Sequence, residues 1–207
     1  MSVANLSAMR TRDATPDDLP ALARVVNAAY LVEQSFVTGH RTDEGELREM
    51  LARPGAAFLV VGDGDGGDSG ALAGAVYVEL RGARAYFGML SVHPAHQGQG
   101  LGRLLVTSAE QRCRDAGCRF VDISVVDLRT DLAPFYARLG YAPYDTAPFP
   151  QAARLTRPAG LVLMTKPLVG LWGGPTAVSN PGLEERPAAL RSRGSIPPLI
   201  PPLDSAD

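Results

Sequence analysis

The chain has 207 residues, of which 45% are hydrophobic and 20% charged, the balance of a single soluble domain with a full core and some length to spare. A net charge of -2, a pI near 5.9 and scattered arginines leave no electrostatic footprint for nucleic acid. No run reaches the roughly 18 apolar residues of a membrane span. Met1 to Arg12 also lacks the apolar stretch of a secretory signal, so no membrane partner and a cytoplasmic location are expected.

In chain order, Met9 to Ala14 alternates weakly and is read as a first strand. Thr15-Pro16-Asp17-Asp18 is a helix start: a capping hydroxyl, a proline at the first helical position, and two acids facing the positive helix end. Leu19, Leu22, Val26 and Ala29 give that helix an apolar face. A second, shorter helix is predicted over Asp43 to Ala52, capped by Thr42 and stopped by Arg53-Pro54-Gly55. Three strand-like runs follow, Ala57 to Gly62, Ala71 to Leu80 and Ala85 to Val92. The Asp/Gly run from Asp63 to Gly70 lacks calcium-ligand spacing and reads as a hairpin loop.

A long helix is predicted from Gly100 to Ala116, with Leu101, Leu104, Leu105 and the small Ser108 on one face and Gly117 as its stop. Phe120 to Val126 reads as a buried strand, Pro134 to Leu139 as a short helix ending at Gly140, and Leu161 to Thr165 as the closing strand. The order β-α-α-β-β-β-α-β-α-β implies an α+β domain around a mostly antiparallel sheet flanked by helices. Residues 1–166 form that domain in this reading. Residues 167–207 hold eight of the 17 prolines and no periodic apolar pattern, and read as a disordered or draped tail in which Trp172 is an anchor candidate.

Cys113 and Cys118 match neither a zinc knuckle nor a redox pair and are expected to stay reduced. His40, His93 and His96 show no metal-ligand spacing, so no metal site is expected; His93 and His96 are read as surface residues bordering the glycine-rich stretch.

That stretch, Met89-Leu90-Ser91-Val92-His93-Pro94-Ala95-His96-Gln97-Gly98-Gln99-Gly100-Leu101-Gly102-Arg103, carries the most chemistry. It is a strand, a proline turn, a glycine-rich loop and a helix start. Glycines at 98, 100 and 102 let backbone N–H groups turn inward at the positive helix end, which makes an anion cradle. Gly102 inside the first turn costs about 1 kcal/mol against alanine and needs a reason. The competing reading is a tight β–α turn whose glycines only permit close packing. A dinucleotide fingerprint would need glycine where Arg103 stands, and no Gly-Lys-Ser/Thr follows for a P-loop.

Gln97-Gly98-Gln99-Gly100-Leu101-Gly102 matches the Q/R-x-x-G-x-G/A signature of the GNAT acetyltransferases, after a V-x-P turn at Val92-His93-Pro94. Pro134-Phe135-Tyr136-Ala137-Arg138-Leu139-Gly140-Tyr141 is similar to that family's F-Y-x-x-x-G-F/Y motif. The chain resembles this family over roughly Ser7 to Lys166. The resemblance implies a GNAT-like fold with splayed strands forming an acetyl-CoA cleft, and acetyl-CoA as co-substrate. It implies that Leu90, Ser91 and Val92 face the pantetheine arm and thioester with backbone groups, and that Gln97, Gly98, Gln99, Gly100, Leu101, Gly102 and Arg103 wrap the pyrophosphate. Tyr136 would lie beside the thioester sulfur, with simple packing in the short helix as the competing reading. Many relatives carry asparagine ahead of the second motif, whereas this chain has Asp127, Leu128 and Arg129.

Glu33, between the first two helices where the family shapes its acceptor pocket, is the candidate to attract or deprotonate an amine; a solvated helix-end acid is the competing reading. Asp122 alternates with Val121 and Ile123 and points either away from the core or into the cleft. The activity implied is acetyl transfer to an amine of a small molecule by direct attack in a ternary complex, since no cysteine lies near either motif. Protein N-terminal or lysine acetylation and a silent acetyl-CoA sensor are the alternatives, and a homodimer is left open.

Overall fold

The computed structural model describes residues 9–62 and 70–168. The Asp/Gly loop at 63–69 and the tail from 169 onward, including Trp172, lie outside the described residues. The first strand, β1, is only Arg12–Asp13. A 3-10 turn at Pro16–Asp18 leads into helix α1, Leu19–Ala29. The Asp18 carboxylate accepts the Thr15 N–H at 2.8 Å, which closes the helix start. Leu19, Leu22, Val25 and Val26 are the buried face. Helix α2 is Glu44–Leu51, and its cap is Asp43, not Thr42: the Asp43 side chain accepts from the Glu46 N–H at 2.9 Å. Thr42 is instead buried, with its backbone tied to Asn27.

Strands β2 (Ala56–Gly62), β3 (Leu72–Arg81) and β4 (Arg84–Val92) form an antiparallel meander. Helix α3 (Leu101–Asp115) and strand β5 (Phe120–Val126) follow, then helix α4 (Leu132–Arg138). The chain ends in a hairpin-like pair, β6 (Ala142–Pro148) and β7 (Gly160–Pro167). The sheet order is β1-β2-β3-β4-β5-β7-β6, and only the β4–β5 pair is parallel. Strand β6 is absent from the sequence reading for a physical reason. It is an edge strand with mostly exposed residues and two prolines, Pro143 and Pro148, which an edge tolerates and a central strand does not.

Alternation along the strands divides the core between the two faces of the sheet. Leu59, Val61, Val76 and Val78 pack with Leu101, Leu105 and Ala109 of α3 on one face. Phe58, Val60, Ala75 and Tyr77 pack with Leu22, Val26 and Leu47 of α1 and α2 on the other. Both faces are covered, which is why these strands read as nearly continuous apolar runs. Cys113 and Cys118 are free and buried at the far end of α3. There Glu110, also buried, is neutralised by Lys166 at 2.7 Å and Arg114 at 3.0 Å, and accepts the Tyr141 hydroxyl. Just past β7, Leu168 is buried and donates its N–H to the Arg119 carbonyl at 2.8 Å.

Candidate active site

Strands β4 and β5 pair over only three rungs, Arg84 with Phe120, Ala85 with Val121 and Tyr86 with Asp122, and then part. The closed end is pinned by side chains. Arg84 grips Asp122 with two hydrogen bonds, one of them Nε to Oδ2 at 2.7 Å, and also donates to Thr165. Asp122 is therefore a strand-to-strand anchor at the vertex, outside the cleft. One step further, the Tyr86 hydroxyl lies 3.1 Å from Ser124 Oγ and spans the first gap. A Cβ at Gly88 would lie 2.6 Å from the Tyr86 hydroxyl oxygen and 3.0 Å from its ring, so a side chain there would push Tyr86 off Ser124.

Beyond this vertex β4 is bulged. Tyr77 pairs with Gly88 and Ala75 with Ser91, so Met89 and Leu90 together oppose the single residue Val76. Met89 has φ +49, the one positive φ outside glycine among the described residues. The extra residue flips the face parity of the strand. Ala85 and Phe87 belong to the α3-side core, Tyr86 and Met89 to the α1-side core, and Leu90 and Val92 pack on the α3 side again. A bulge takes backbone groups out of the ladder next to the gap, which is where a ligand can use them.

The parted strands enclose a cavity of about 580 Å³ that passes through the sheet. Its α3 side is lined by the start of that helix. Gly98 has φ +75, and Gly100, the helix N-cap, has φ +86. Gly102 is helical, and a Cβ there would make only ordinary contacts, 3.8 Å to Phe135 and 3.9 Å to Val92. Close packing therefore does not explain this glycine; its lack of a side chain keeps the cavity open at the helix end. The Gln97 side chain donates to the Val92 carbonyl at 3.1 Å and fixes the turn. Of the ten positions singled out between Leu90 and Arg103, eight line the cavity. Ser91 is fully buried with its hydroxyl on the Met89 carbonyl, and the Gln99 side chain returns to the Ala95 carbonyl.

Tyr136 reaches the same cavity from α4. Its ring packs against Phe87, Phe135 and Tyr141, which fixes its position. No protein group among the described residues hydrogen-bonds its hydroxyl. Burial raises the pKa of the phenol well above its ordinary value, so it stays protonated.

The α1 side is built differently. A 3-10 turn, Leu31–Ser35, directly follows α1 and places Glu33 on the cavity wall, buried. Burial raises the Glu33 pKa, opposed by Arg41 and Arg129; Arg129 Nη1 is 3.9 Å from Glu33 Oε1. Arg129 also binds Asp131 through two hydrogen bonds of 2.9 and 2.8 Å. Arg41 stacks over Tyr30, whose hydroxyl burial pushes up to about 12. Arg41 and Arg129 carry no spacing signal in the sequence, because each comes from a loop that only the fold brings to the cleft. Asp127, the first of the Asp127-Leu128-Arg129 run ahead of the second motif, accepts the Gly160 N–H at 3.0 Å and ties the end of β5 to β7. His96 lines the cavity and His93 does not; the His93 ring accepts the Ala95 N–H. Among the described residues, no three His, Cys, Asp or Glu side chains gather as a metal group, and no helix is long and apolar enough to cross a membrane.

The family model described as "Acetyltransferase (GNAT) family" matches residues 26–141, more than half of the chain. Solved structures share the fold. A nourseothricin acetyltransferase is 20% identical with a TM-score of 0.60, covering 78% of this chain and 99% of that one. A phosphinothricin acetyltransferase from Sinorhizobium meliloti, in complex with AcCoA, is 18% identical with a TM-score of 0.61, covering 84% and 96%. The ribosomal-protein-S18-alanine N-acetyltransferase from Escherichia coli is 16% identical with a TM-score of 0.60, covering 82% and 99%.

Proposed function

We propose that this chain, which belongs to the GNAT family of acetyltransferases, passes acetyl from acetyl-CoA to an amine of a small molecule by direct attack in a ternary complex. The observation that carries this reading is the parting of β4 from β5 beside the glycine-rich start of α3, with a bulge at Met89 on the gap. The residues present fit acetyl-CoA. Helix-end N–H groups and the bare Gly102 leave room for a pyrophosphate, and Arg103 and Arg138 line the same mouth as cations for phosphate. The bulged Leu90-to-Val92 backbone supplies polar groups for the pantetheine arm.

Acetyl-CoA contributes an activated acetyl thioester. The protein's part is positional and electrostatic. A backbone N–H of the bulged strand stabilises charge growing on the acyl oxygen. The Tyr136 hydroxyl, protonated and without a protein partner, donates a proton or hydrogen bond to the departing sulfur. An alkylamine has a pKa near 10.4, so about one molecule in a thousand is nucleophilic at pH 7.4. Glu33, whose carboxylate form Arg41 and Arg129 favour against the burial that raises its pKa, draws the ammonium in and takes up its proton, directly or through water. The two cysteines are buried away from the cavity, which favours direct attack over an acetyl-enzyme.

Residues 1–166 form the body of the catalytic domain in this proposal, with packing that extends through Pro167 and Leu168, then an appended proline-rich tail, and the cytoplasm as the working compartment. Release of coenzyme A over a panel of amines, polyamines, amino acids and peptides tests the function. Turnover confined to peptides, or tight acetyl-CoA binding with no turnover on any acceptor, overturns it.

A further inference from the structure

The α1 side of the cleft carries charges that acetyl transfer to a plain amine does not require. Arg129 is answered by Asp131 and stands near Glu33. Arg154, on the adjoining loop, directs its guanidinium at Thr38, His40 and Gln151. Arg41 differs from both: its Nε is closed off from solvent and meets no hydrogen-bond partner. A buried N–H left unpaired costs about 1–3 kcal/mol, so the surrounding structure must impose this position. Asn27 of α1 does so. Its Oδ1 accepts the N–H groups of Arg41 at 2.8 Å and Thr42 at 3.1 Å, and its Nδ2 donates to the Thr42 carbonyl at 2.9 Å. Stacking on Tyr30, at 4.8 Å from guanidinium carbon to ring centre, fixes the other end of the side chain.

The charge count agrees. Among Glu33, Asp131, Arg41 and Arg129 the charges cancel, and all four line one cavity, whose two other arginines, Arg103 and Arg138, are assigned to the phosphates. An ammonium brought to Glu33 adds a positive charge to a sheltered site, and an anion on the same molecule restores the balance. We propose that Arg41 is an anion clamp and that the acceptor is an amino-acid-like zwitterion, its amine at Glu33 and its carboxylate on the Arg41 guanidinium. The guanidinium fork suits a carboxylate, and Arg41 lines the same cavity as Glu33, whose charge it bears on. This inference rests on the amine-transfer reading and narrows it. A protein N-terminus or lysine side chain brings no carboxylate at that distance.

The test uses the full chain, acetyl-CoA and matched acceptor pairs: phenylalanine with phenylethylamine, leucine with isoamylamine, methionine with 3-methylthiopropylamine. The carboxylated member of at least one pair is expected to have a kcat/KM about 100-fold higher, the scale of a lost hydrogen bond to a charged group in a sheltered site. Arg41→Gln brings that ratio close to unity and weakens calorimetric binding of the amino acid to the coenzyme A complex. Arg41→Lys, which keeps the charge and loses the fork, retains part of the preference. Unchanged acetyl-CoA affinity in both variants shows that they fold. Equal or better turnover of the decarboxylated amines, or a ratio that Arg41→Gln leaves intact, overturns this inference and leaves the transfer reading standing. Failure of both members of every pair, with acetyl-CoA bound, overturns this inference, and the transfer reading falls with it only if the wider amine panel fails as well.

Discussion

The two mouths of the cleft are made of different material. On the α3 side the cavity-facing groups belong to the backbone: a helix end, glycines at 98, 100 and 102, and a bulge at Met89. On the α1 side they are side chains from separate segments, Glu33 from a 3-10 turn, Arg41 from the loop before α2 and Arg129 from the loop after β5. A backbone site has fixed donors and tolerates almost no change in its few glycines. A side-chain site can be re-chosen one residue at a time without disturbing the sheet. One mouth is therefore suited to a constant ligand and the other to a selected one.

Substitution at the backbone mouth should break that contrast most severely. In Gly102→Asp the new carboxylate enters the cavity beside the helix end, where the proposed pyrophosphate lies. Like charges about 4 Å apart at an effective dielectric near 20 repel by about 4 kcal/mol, a loss of roughly 10³-fold in affinity. Gly102 is a better test than Gly100, whose φ of +86 would add backbone strain to any substitution. Calorimetry should show acetyl-CoA binding lost while the melting temperature stays near that of the parent. Retained affinity would exclude the α3 end as the phosphate cradle.

Between the mouths stands Tyr136. Tyr136→Phe keeps the ring that packs on Phe87, Phe135 and Tyr141 and removes only a hydroxyl with no protein partner. A fall in kcat of about 10²-fold is expected, within the range of acid catalysis, with acetyl-CoA affinity nearly unchanged. Full turnover on the preferred acceptor would remove the hydroxyl from the mechanism.

The side-chain mouth should respond more mildly and with a pH signature. Burial lifts the Glu33 pKa above its ordinary value near 4.5. Activity that needs the carboxylate is lost as pH falls through that raised value, so kcat/KM should show an acidic limb displaced upward. Glu33→Gln should abolish the limb and lower kcat/KM about tenfold, the scale of one hydrogen bond to a charged group. Stability moves the other way. A carboxyl that holds its proton more tightly when folded contributes stability at low pH and loses it as pH rises through the folded pKa. At neutral pH, Glu33→Gln should therefore melt slightly higher than the parent. A limb that survives the substitution would assign it to another group.

These differences also decide what could be read from the chain alone. Glycine and proline at fixed spacing declare a turn and a helix end, so Gln97 to Gly102 was legible, as were the apolar runs of β2 to β5. The cap of α2 was misplaced by one residue because Thr42 and Asp43 are both competent caps, and only the pairing of Thr42 with Asn27 separates them. Strand β6 was missed because an exposed edge carries no apolar period. Arg41 could not be found, since nothing in its neighbours announces that Asn27, 14 positions earlier, will hold it against the cleft. The bulge was equally hidden: the flip at Met89 depends on its partner strand, and a methionine at positive φ has no composition signal.

The smallest effect is expected at the vertex, where the contrast between the mouths begins. Arg84 and Asp122, from the first and last of the three paired rungs, join β4 to β5, with side chains about a quarter exposed. Their geometry is bidentate, yet partial exposure limits the gain, so Asp122→Asn should cost about 1 kcal/mol. For a domain of this size that lowers the melting temperature by about 2–4 °C. Asparagine can still accept one hydrogen bond from Arg84, and Thr165 continues to receive another. The strands should therefore stay joined below Tyr86 and parted above it. Acetyl-CoA affinity and kcat should then remain close to the parent values, because the cavity begins beyond this rung. A large loss of affinity in a variant that melts normally would mean that the vertex sets the width of the cleft, and that both mouths answer to the same pair of charges.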